Sequence, residues 1–187
     1  MSRADRERWN RKYTAGNPNP TFEPEPLLVQ YAYLLDGAGM ALDVACGVGQ
    51  NALFLARRGY EVLAVDGSVA GLRYARRALA GTRLPVHLVA ADLDDFVFPD
   101  RRFAVAVVFR FLSRALWPRI NQALVPGGLL IYQTFNVNRL RFTSMRREYL
   151  LEHGELARLG GDYETIATND STDNTAEQSY WIGRRPL

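Results

Sequence analysis

The segment LDVACGVGQNALFLARRGYEVLAVDGS, residues 42–68, constrains this chain more than any other feature. An apolar, strand-like run passes into Gly47-x-Gly49-x-x-Ala52 and then into helical spacing from Asn51 to Arg58. Small residues at such a passage let the backbone come close to a ligand, and the first N–H groups of the helix have no intrahelical partners and point towards it. A second strand-like run, EVLAVD, ends at Asp66, 19 residues after Gly47. A carboxylate there can accept hydrogen bonds from both vicinal hydroxyls of a ribose, the spacing logic of doubly wound nucleoside-binding folds. A glycine pattern alone is weak evidence. The strand–loop–helix context with an acidic residue at this distance predicts nucleoside binding.

Two further carboxylates narrow the choice of nucleoside. Asp43 lies four residues before Gly47, inside the incoming strand. A pyrophosphate would gain nothing from an anion so close, which disfavours NAD and a nicotinamide-linked oxidoreductase. An Asp at this place suits a ligand with a cationic amino-acid end, such as S-adenosylmethionine, by direct contact or through water or loop bonds; the alternative is an Asp that braces the loop and touches no ligand. Asp92, in AADLDDF at the end of the third strand, is expected beside the ligand, where it can accept from an adenine amino group; the alternative is a helix N-cap or turn Asp.

The rest of the chain repeats the same alternation. A short opening helix over residues 1–13 places Trp9 and Tyr13 on one side, and the loop AGNPNPTFEPEP breaks it. Helical spacing from Leu27 to Leu35 stops at Gly37 and Gly39, before the strand MALDVA. After EVLAVD come the helix SVAGLRYARRALAG, the strands PVHLVAAD and FAVAVVF, the helix SRALWPRINQAL, the turn VPGG and the strand LLIYQTF. Short, nearly continuous apolar strands between amphipathic helices predict an α/β fold, a Rossmann-like doubly wound, mostly parallel sheet with helices on both faces. A helix around Leu151 to Leu159 follows, then YETIATND and QSYWIGRR, which read as an antiparallel hairpin closing the sheet edge. The expected organisation is one domain, residues 1–187. Residues 1–26 form an N-terminal lid helix and loop, 27–135 the cofactor-binding core, and 136–187 a substrate-side segment with the closing hairpin.

Composition sets limits on the chemistry. A chain of 187 residues with 48% apolar content can bury a full core, roughly 70% of the unfolded chain's surface, without disulfide or metal. One cysteine makes no internal bridge and two histidines make a poor zinc site, so no metal is expected. The charged start lacks the apolar stretch of a signal peptide, and the longest apolar runs fall far short of a membrane span, so a cytoplasmic protein with no membrane partner is expected. All but one of the 23 basic residues are arginine, and they cluster at Arg3, Arg6, Arg8 and Arg11 and at Arg139, Arg141, Arg146 and Arg147. Such clusters either meet phosphates or an anionic molecule, or form a solvated surface. The net charge of +3 is too small to argue for nucleic acid by itself.

These residues resemble the class I S-adenosylmethionine-dependent methyltransferases. LDVACGVGQN resembles the family's first motif, AVDGS the ribose-binding second, AADLDDF the adenine-contacting third, and LVPGGLLIYQTF the turn and strand after the fourth. With RWNRKY and ALFLARRGYEVLAVD, the likeness is greatest to the small bacterial branch of tellurite-resistance and thiopurine-type methyltransferases, and it spans roughly residues 5–135. It implies the strand order 3-2-1-4-5-7-6 with strand seven antiparallel, and an N-terminal helix carrying Trp9, Arg11 and Tyr13 that folds over the cofactor. It also implies S-adenosylmethionine as cofactor, S-adenosylhomocysteine as product, and a cofactor site built from Arg11, Asp43, Ala45, Cys46, Gly47, Gly49, Asn51, Asp66, Gly67, Ser68, Asp92, Leu93 and Phe109. Two departures stand out. Ala45, Cys46 and Ala52 replace smaller or glycine residues, and Phe109-Arg110-Phe111 stands where DNA and protein amide N-methyltransferases carry an Asn-Pro-Pro-aromatic motif.

Methyl transfer from a sulfonium needs orientation more than acid–base help. His87 within strand three and His153 late in the chain read as non-catalytic, and Cys46 lacks a histidine partner for a nucleophile's role. The lid and the loop after strand four nominate Tyr13, Arg110, Phe111 and Arg114 as acceptor-facing, the arginines holding an oxyanion or carboxylate or else making surface ion pairs. The expected function is methylation of a small molecule. The alternatives are an RNA or other macromolecular acceptor and a non-catalytic cofactor-binding module; the sequence leaves the oligomeric state open.

Overall fold

The computed structural model describes residues 3–15 and 21–187, with side chains from Asp5 onward. Residues 16–20 of the predicted loop and the side chain of Arg3 in the first cluster lie outside the described part. The strands follow the order β3-β2-β1-β4-β5-β7-β6 in a seven-stranded sheet with helices on both sides, the order expected above. The chain forms two compact units, Met1–Val97 and Phe98–Leu187.

In the first unit, α1 (Arg3–Ala15) and α2 (Pro26–Gln30) precede β1 (Met40–Val44), α3 (Gln50–Arg57), β2 (Glu61–Asp66), α4 (Val69–Leu79) and β3 (Val86–Ala90). The strands are parallel, with Ala41 opposite Val62 and Val62 opposite Val86. Ala41, Leu42, Val44, Val62, Ala64 and Val65 are all inaccessible to solvent, as expected of strands covered on both faces. From α3, Leu53 and Leu55 enter the same core, each stabilising it by roughly 1.5–3 kcal/mol. β3 is half exposed, and on it His87 bonds Glu61 of β2 at 2.8 Å, an edge placement. The helix expected over Leu27–Leu35 is broken. α2 ends at Gln30, with Tyr31 as its C-cap, and a 3₁₀ turn covers Ala32–Leu34. Ala32 and Leu35, the buried pair there, are three apart, a spacing that the tighter helix places on one line.

The second unit holds β4 (Phe103–Phe109), α5 (Trp117–Ala123), β5 (Leu124–Phe135), α6 (Glu155–Gly160), β6 (Glu164–Thr168) and β7 (Gln178–Arg184). β4 and β5 are parallel, whereas β5–β7 and β7–β6 are antiparallel, so the hairpin closes the edge as predicted. Trp181 is fully buried at the centre of an aromatic cluster with Trp117, 5.9 Å away, and Tyr163, 5.5 Å away. Gly183 makes room for it: a Cβ there would lie 2.2 Å from the indole. Three boundaries differ from expectation. α5 begins at Trp117, after a 3₁₀ turn over Arg114–Leu116, because Pro118 tolerates a first helical turn but cannot donate to a preceding one. β5 starts at Leu124, taking the expected VPGG turn into the strand, with Gly127 at φ 74°. α6 starts at Glu155 because the backbone of Leu151 is already bonded to Phe135 and Val137.

Candidate cofactor site

The loop between β1 and α3 turns sharply at left-handed residues. Ala45 has φ 57°, Gly47 56° and Gly49 81°. Ala45 thus adopts a backbone conformation that favours glycine, the position at which the sequence departs from a smaller residue. The turn closes through the Gly49 N–H on the Cys46 carbonyl at 2.8 Å. Its orientation is held from β2: the Asp66 carboxylate accepts from the Gly47 N–H at 2.8 Å with one oxygen and from the Ser68 N–H at 2.6 Å with the other. Asp66 therefore braces the glycine loop as well as closing its own strand. The sequence reading missed this second role, which depends on the parallel register that sets the ends of β1 and β2 side by side. Burial pushes the Asp66 carboxyl up, and these two N–H groups oppose that shift.

Asp43 lies deeper, 1% exposed on β1. Burial, Asp66 and Glu25 push its carboxyl up to about 8, against the Ala52 backbone hydrogen bond, which favours the charged form. Its second oxygen, Oδ2, is buried with no hydrogen-bond partner among the described residues. A buried acceptor left in this state is costly, and three carboxylates converge where a cationic group would be stabilised. The residues therefore fit a ligand that ends in an ammonium. Asn51 accepts from the Glu25 N–H at 2.9 Å and ties the start of α2 to α3. Cys46 is buried, and burial together with Asp43 and Asp66 pushes its thiol well up, which keeps it protonated and excludes the nucleophile's role.

Helix α1 adds three residues along one face. The Tyr13 hydroxyl stands over Gly47, where a Cβ would lie 2.6 Å from it. Asn10 accepts from the Ser68 hydroxyl at 2.8 Å and from the Ala70 N–H at 3.1 Å, and Arg6 pairs with Asp92 at 3.1 Å. Asp92 also accepts from the Asp94 N–H at 3.1 Å, a turn contact of the kind weighed as the alternative to adenine binding. Leu93 beside it is fully buried, and Gly67 is half-buried between Asp66 and Ser68. Arg11 is exposed, one residue off the stripe through residues 6, 10 and 13. Asn10 was not singled out from the sequence, and Arg6 only as one of the first arginine cluster. The signal available was their i, i+4, i+7 alignment with Tyr13.

In the second unit, Phe109 is buried at the end of β4. Arg110 follows at φ 55°, exposed, its N–H bonded to the Gln133 carbonyl at 2.8 Å. A left-handed arginine is strained by about 1–3 kcal/mol, and such strain gathers at functional loops. The Phe111 carbonyl accepts from the Tyr132 hydroxyl at 3.0 Å. For Arg114 the structure shows the ion-pair alternative, with Glu155 as the partner. Its guanidinium donates to both Glu155 oxygens and to the Glu148 and Leu150 carbonyls, which occupies four of its five N–H groups in a structural clamp and leaves it no means of gripping an acceptor in a paired fashion.

A parallel core with an antiparallel seventh strand, and a glycine loop braced by the carboxylate that ends the next strand, match a Rossmann-like methyltransferase fold. Residues 41–128 match the family described as a methyltransferase domain. The chain carries a methyltransferase domain over those residues, in line with the resemblance to class I S-adenosylmethionine-dependent methyltransferases read from its sequence. It is 38% identical over 87 residues to Hemagglutinin 1 of Eikenella corrodens, covering 42% of this chain and 27% of that protein. To the ubiquinone biosynthesis O-methyltransferase of Alkalilimnicola ehrlichii it is 30% identical over 148 residues, 73% of this chain and 60% of that one. The chain thus spans less than two thirds of the length of either relative. Its fold is similar to that of TehB from Haemophilus influenzae, with a TM-score of 0.75 at 15% identity, covering 95% of this chain and 67% of that one.

Proposed function

We propose that this protein binds S-adenosylmethionine on the Gly47 loop and transfers its methyl group to a small-molecule acceptor. The observation that carries the reading is the unpartnered, buried Oδ2 of Asp43 beside the braced loop. In this reading Asp43 takes the ammonium of the cofactor's amino-acid end. Asp66 keeps lone pairs for the ribose hydroxyls while holding Gly47 and Ser68. Asp92 and Leu93 take the adenine, and Asn51 and Gly67 complete the surroundings. When bound, the cofactor supplies a methyl on a sulfonium whose leaving group is a neutral thioether, so an anionic or soft acceptor needs no general base. Orientation in a dry site then supplies much of the acceleration, up to ~7–11 kcal/mol in favourable cases.

The choice of a small acceptor rests on how the second arginine cluster is spent. Arg139 pairs with Glu177, Arg146 with Glu148 and Arg147 with Glu152, so these cations are answered within the chain. Tyr13, Arg110 and Phe111 remain the acceptor-side candidates. Calorimetry with S-adenosylmethionine and S-adenosylhomocysteine tests the cofactor, and absence of binding to both overturns the reading. Turnover on a panel of thiols, chalcogen oxyanions, amines and carboxylates then identifies the acceptor. Tight cofactor binding with no turnover on any of them would instead support a non-catalytic binding module.

A further inference from the structure

Helix α1 touches the segment after each of the three strands of its unit. Tyr13 stands over Gly47 beyond β1, Asn10 bonds Ser68 and Ala70 beyond β2, and Arg6 pairs with Asp92 beyond β3. The contacts form a closed circuit. Asn10 holds the Ser68 hydroxyl, the Ser68 N–H holds Asp66 Oδ1, Asp66 Oδ2 holds the Gly47 N–H, and Tyr13 covers Gly47 one turn along from Asn10. Ser68 is fully buried, and its oxygen also accepts from the Gly71 N–H at 3.2 Å, so its hydroxyl proton has Asn10 as its acceptor. The Tyr74 hydroxyl, donating to the Tyr13 carbonyl at 3.4 Å, fastens the helix's far end to α4.

We propose that Asn10 and Arg6 are positioning residues for the cofactor, latching α1 across the three loops so that the carboxylates of Asp66 and Asp92 are held at fixed orientation. The inference rests on the cofactor reading above. Asn10 touches no ligand in this account; it acts through Ser68 on Asp66. Arg6 acts through Asp92, whose carboxylate it turns and whose charge it balances. What Asn10 supplies is an acceptor oxygen, because both of its contacts are donated to Oδ1. That gives the test a chemical signature: Asn10→Asp keeps the acceptor and adds a charge that the N-terminal end of α4 favours, whereas Asn10→Ala removes it.

The experiment is titration of S-adenosylhomocysteine into the full chain by calorimetry, for wild type, Asn10→Ala, Asn10→Asp, Arg6→Gln and Arg6→Lys, with thermal unfolding of each ligand-free protein alongside. Loss of one to two hydrogen bonds predicts a Kd about 5- to 20-fold weaker for Asn10→Ala, with Asn10→Asp within about 2-fold of wild type. Arg6→Gln is expected to weaken binding about 2- to 5-fold, as a partly exposed pair should, with Arg6→Lys restoring most of it. Trp9, on the same helix and 5.9 Å from the Tyr13 ring, gives a second readout. Its fluorescence should change on titration in wild type and Asn10→Asp, and change less in Asn10→Ala. Binding by wild type with equal affinity in Asn10→Ala overturns the latch and leaves the cofactor reading standing. Equal weakening in Asn10→Ala and Asn10→Asp also overturns it, since an acceptor is then not what matters. No binding by wild type removes both.

Discussion

At the scale of single residues, Asp43 is the group whose state depends most on its surroundings. Burial, reinforced by Asp66 and Glu25, raises its carboxyl from 3.8 to about 8, so the folded ligand-free protein holds a proton that the unfolded chain releases. The sign of the linkage follows. This group's contribution to stability is fully present below about pH 4 and is lost as pH rises through about 8, at up to ~1.4 kcal/mol per pH unit within that window. Asp43→Asn removes the titration, so its melting temperature should exceed that of wild type at pH 8.5, with the gap closing towards pH 4; a constant gap would show that Asp43 titrates normally. A cationic ligand reverses the balance by favouring the carboxylate. Binding of S-adenosylhomocysteine by wild type should therefore release a proton and tighten between pH 6 and 7.5, by less than tenfold per unit. In Asp43→Asn it should be weak and flat over the same range. Calorimetry in buffers of different ionisation heat reads that proton directly.

At the scale of elements, the strands were legible because β1, β2, β4 and β5 are apolar runs that burial on both faces demands, and the hairpin was legible because two β-rich runs flank a polar stretch. Helix boundaries were less so. The break at Tyr31 and the late start of α6 are set by which backbone groups neighbouring segments claim, Leu151 bonding Phe135 being the clearest case. At the site, the types and spacing of Asp43, Gly47, Gly49 and Asp66 were visible, but the bracing of Gly47 by Asp66 and the capping of α4 by Asn10 join residues 19 and 60 apart and have no local signature. The same limit hid the partner of Arg114, since Glu155 lies 41 residues on. Burial alone would push the Glu155 carboxyl up, but the Arg114 hydrogen bonds and the Glu152 N–H outweigh it and hold it below its ordinary value. Arg114→Ala strands that carboxylate, and the expected cost is about 1–2 kcal/mol in urea unfolding, towards the low end because Arg114 is itself half exposed. The double variant Arg114→Met/Glu155→Leu should recover part of the loss, since it leaves no unpaired charge, although the Glu152 N–H and the Glu148 and Leu150 carbonyls each lose a partner. If Arg114→Ala is as stable as wild type, the clamp holds nothing together.

At the scale of the whole molecule, the question is whether +3 of net charge and 23 basic residues describe a phosphate-binding surface. Counterion release makes such a surface effective only when cations are free to meet phosphates. Arg6 is engaged by Asp92 and Arg8 by Asp5 in the first cluster, and three arginines of the second face glutamates. Arg139 further lies over the Phe135 ring at 4.5 Å, which holds its plane against the protein. An RNA strand would have to break these pairs, and exchanging one screened ion pair for another returns little free energy. The protein should therefore show no saturable binding to a single-stranded RNA of about 20 nucleotides by fluorescence anisotropy even near 50 mM salt, where phosphate contacts are strongest. S-adenosylhomocysteine binding should meanwhile change little between 50 and 300 mM, because its cationic end would meet a buried carboxylate that salt screens poorly. Micromolar RNA affinity whose logarithm falls steeply with the logarithm of salt concentration would reverse the assignment of the acceptor. It would make the arginines after β5 part of a macromolecular substrate site, with their glutamate partners acting as a resting state.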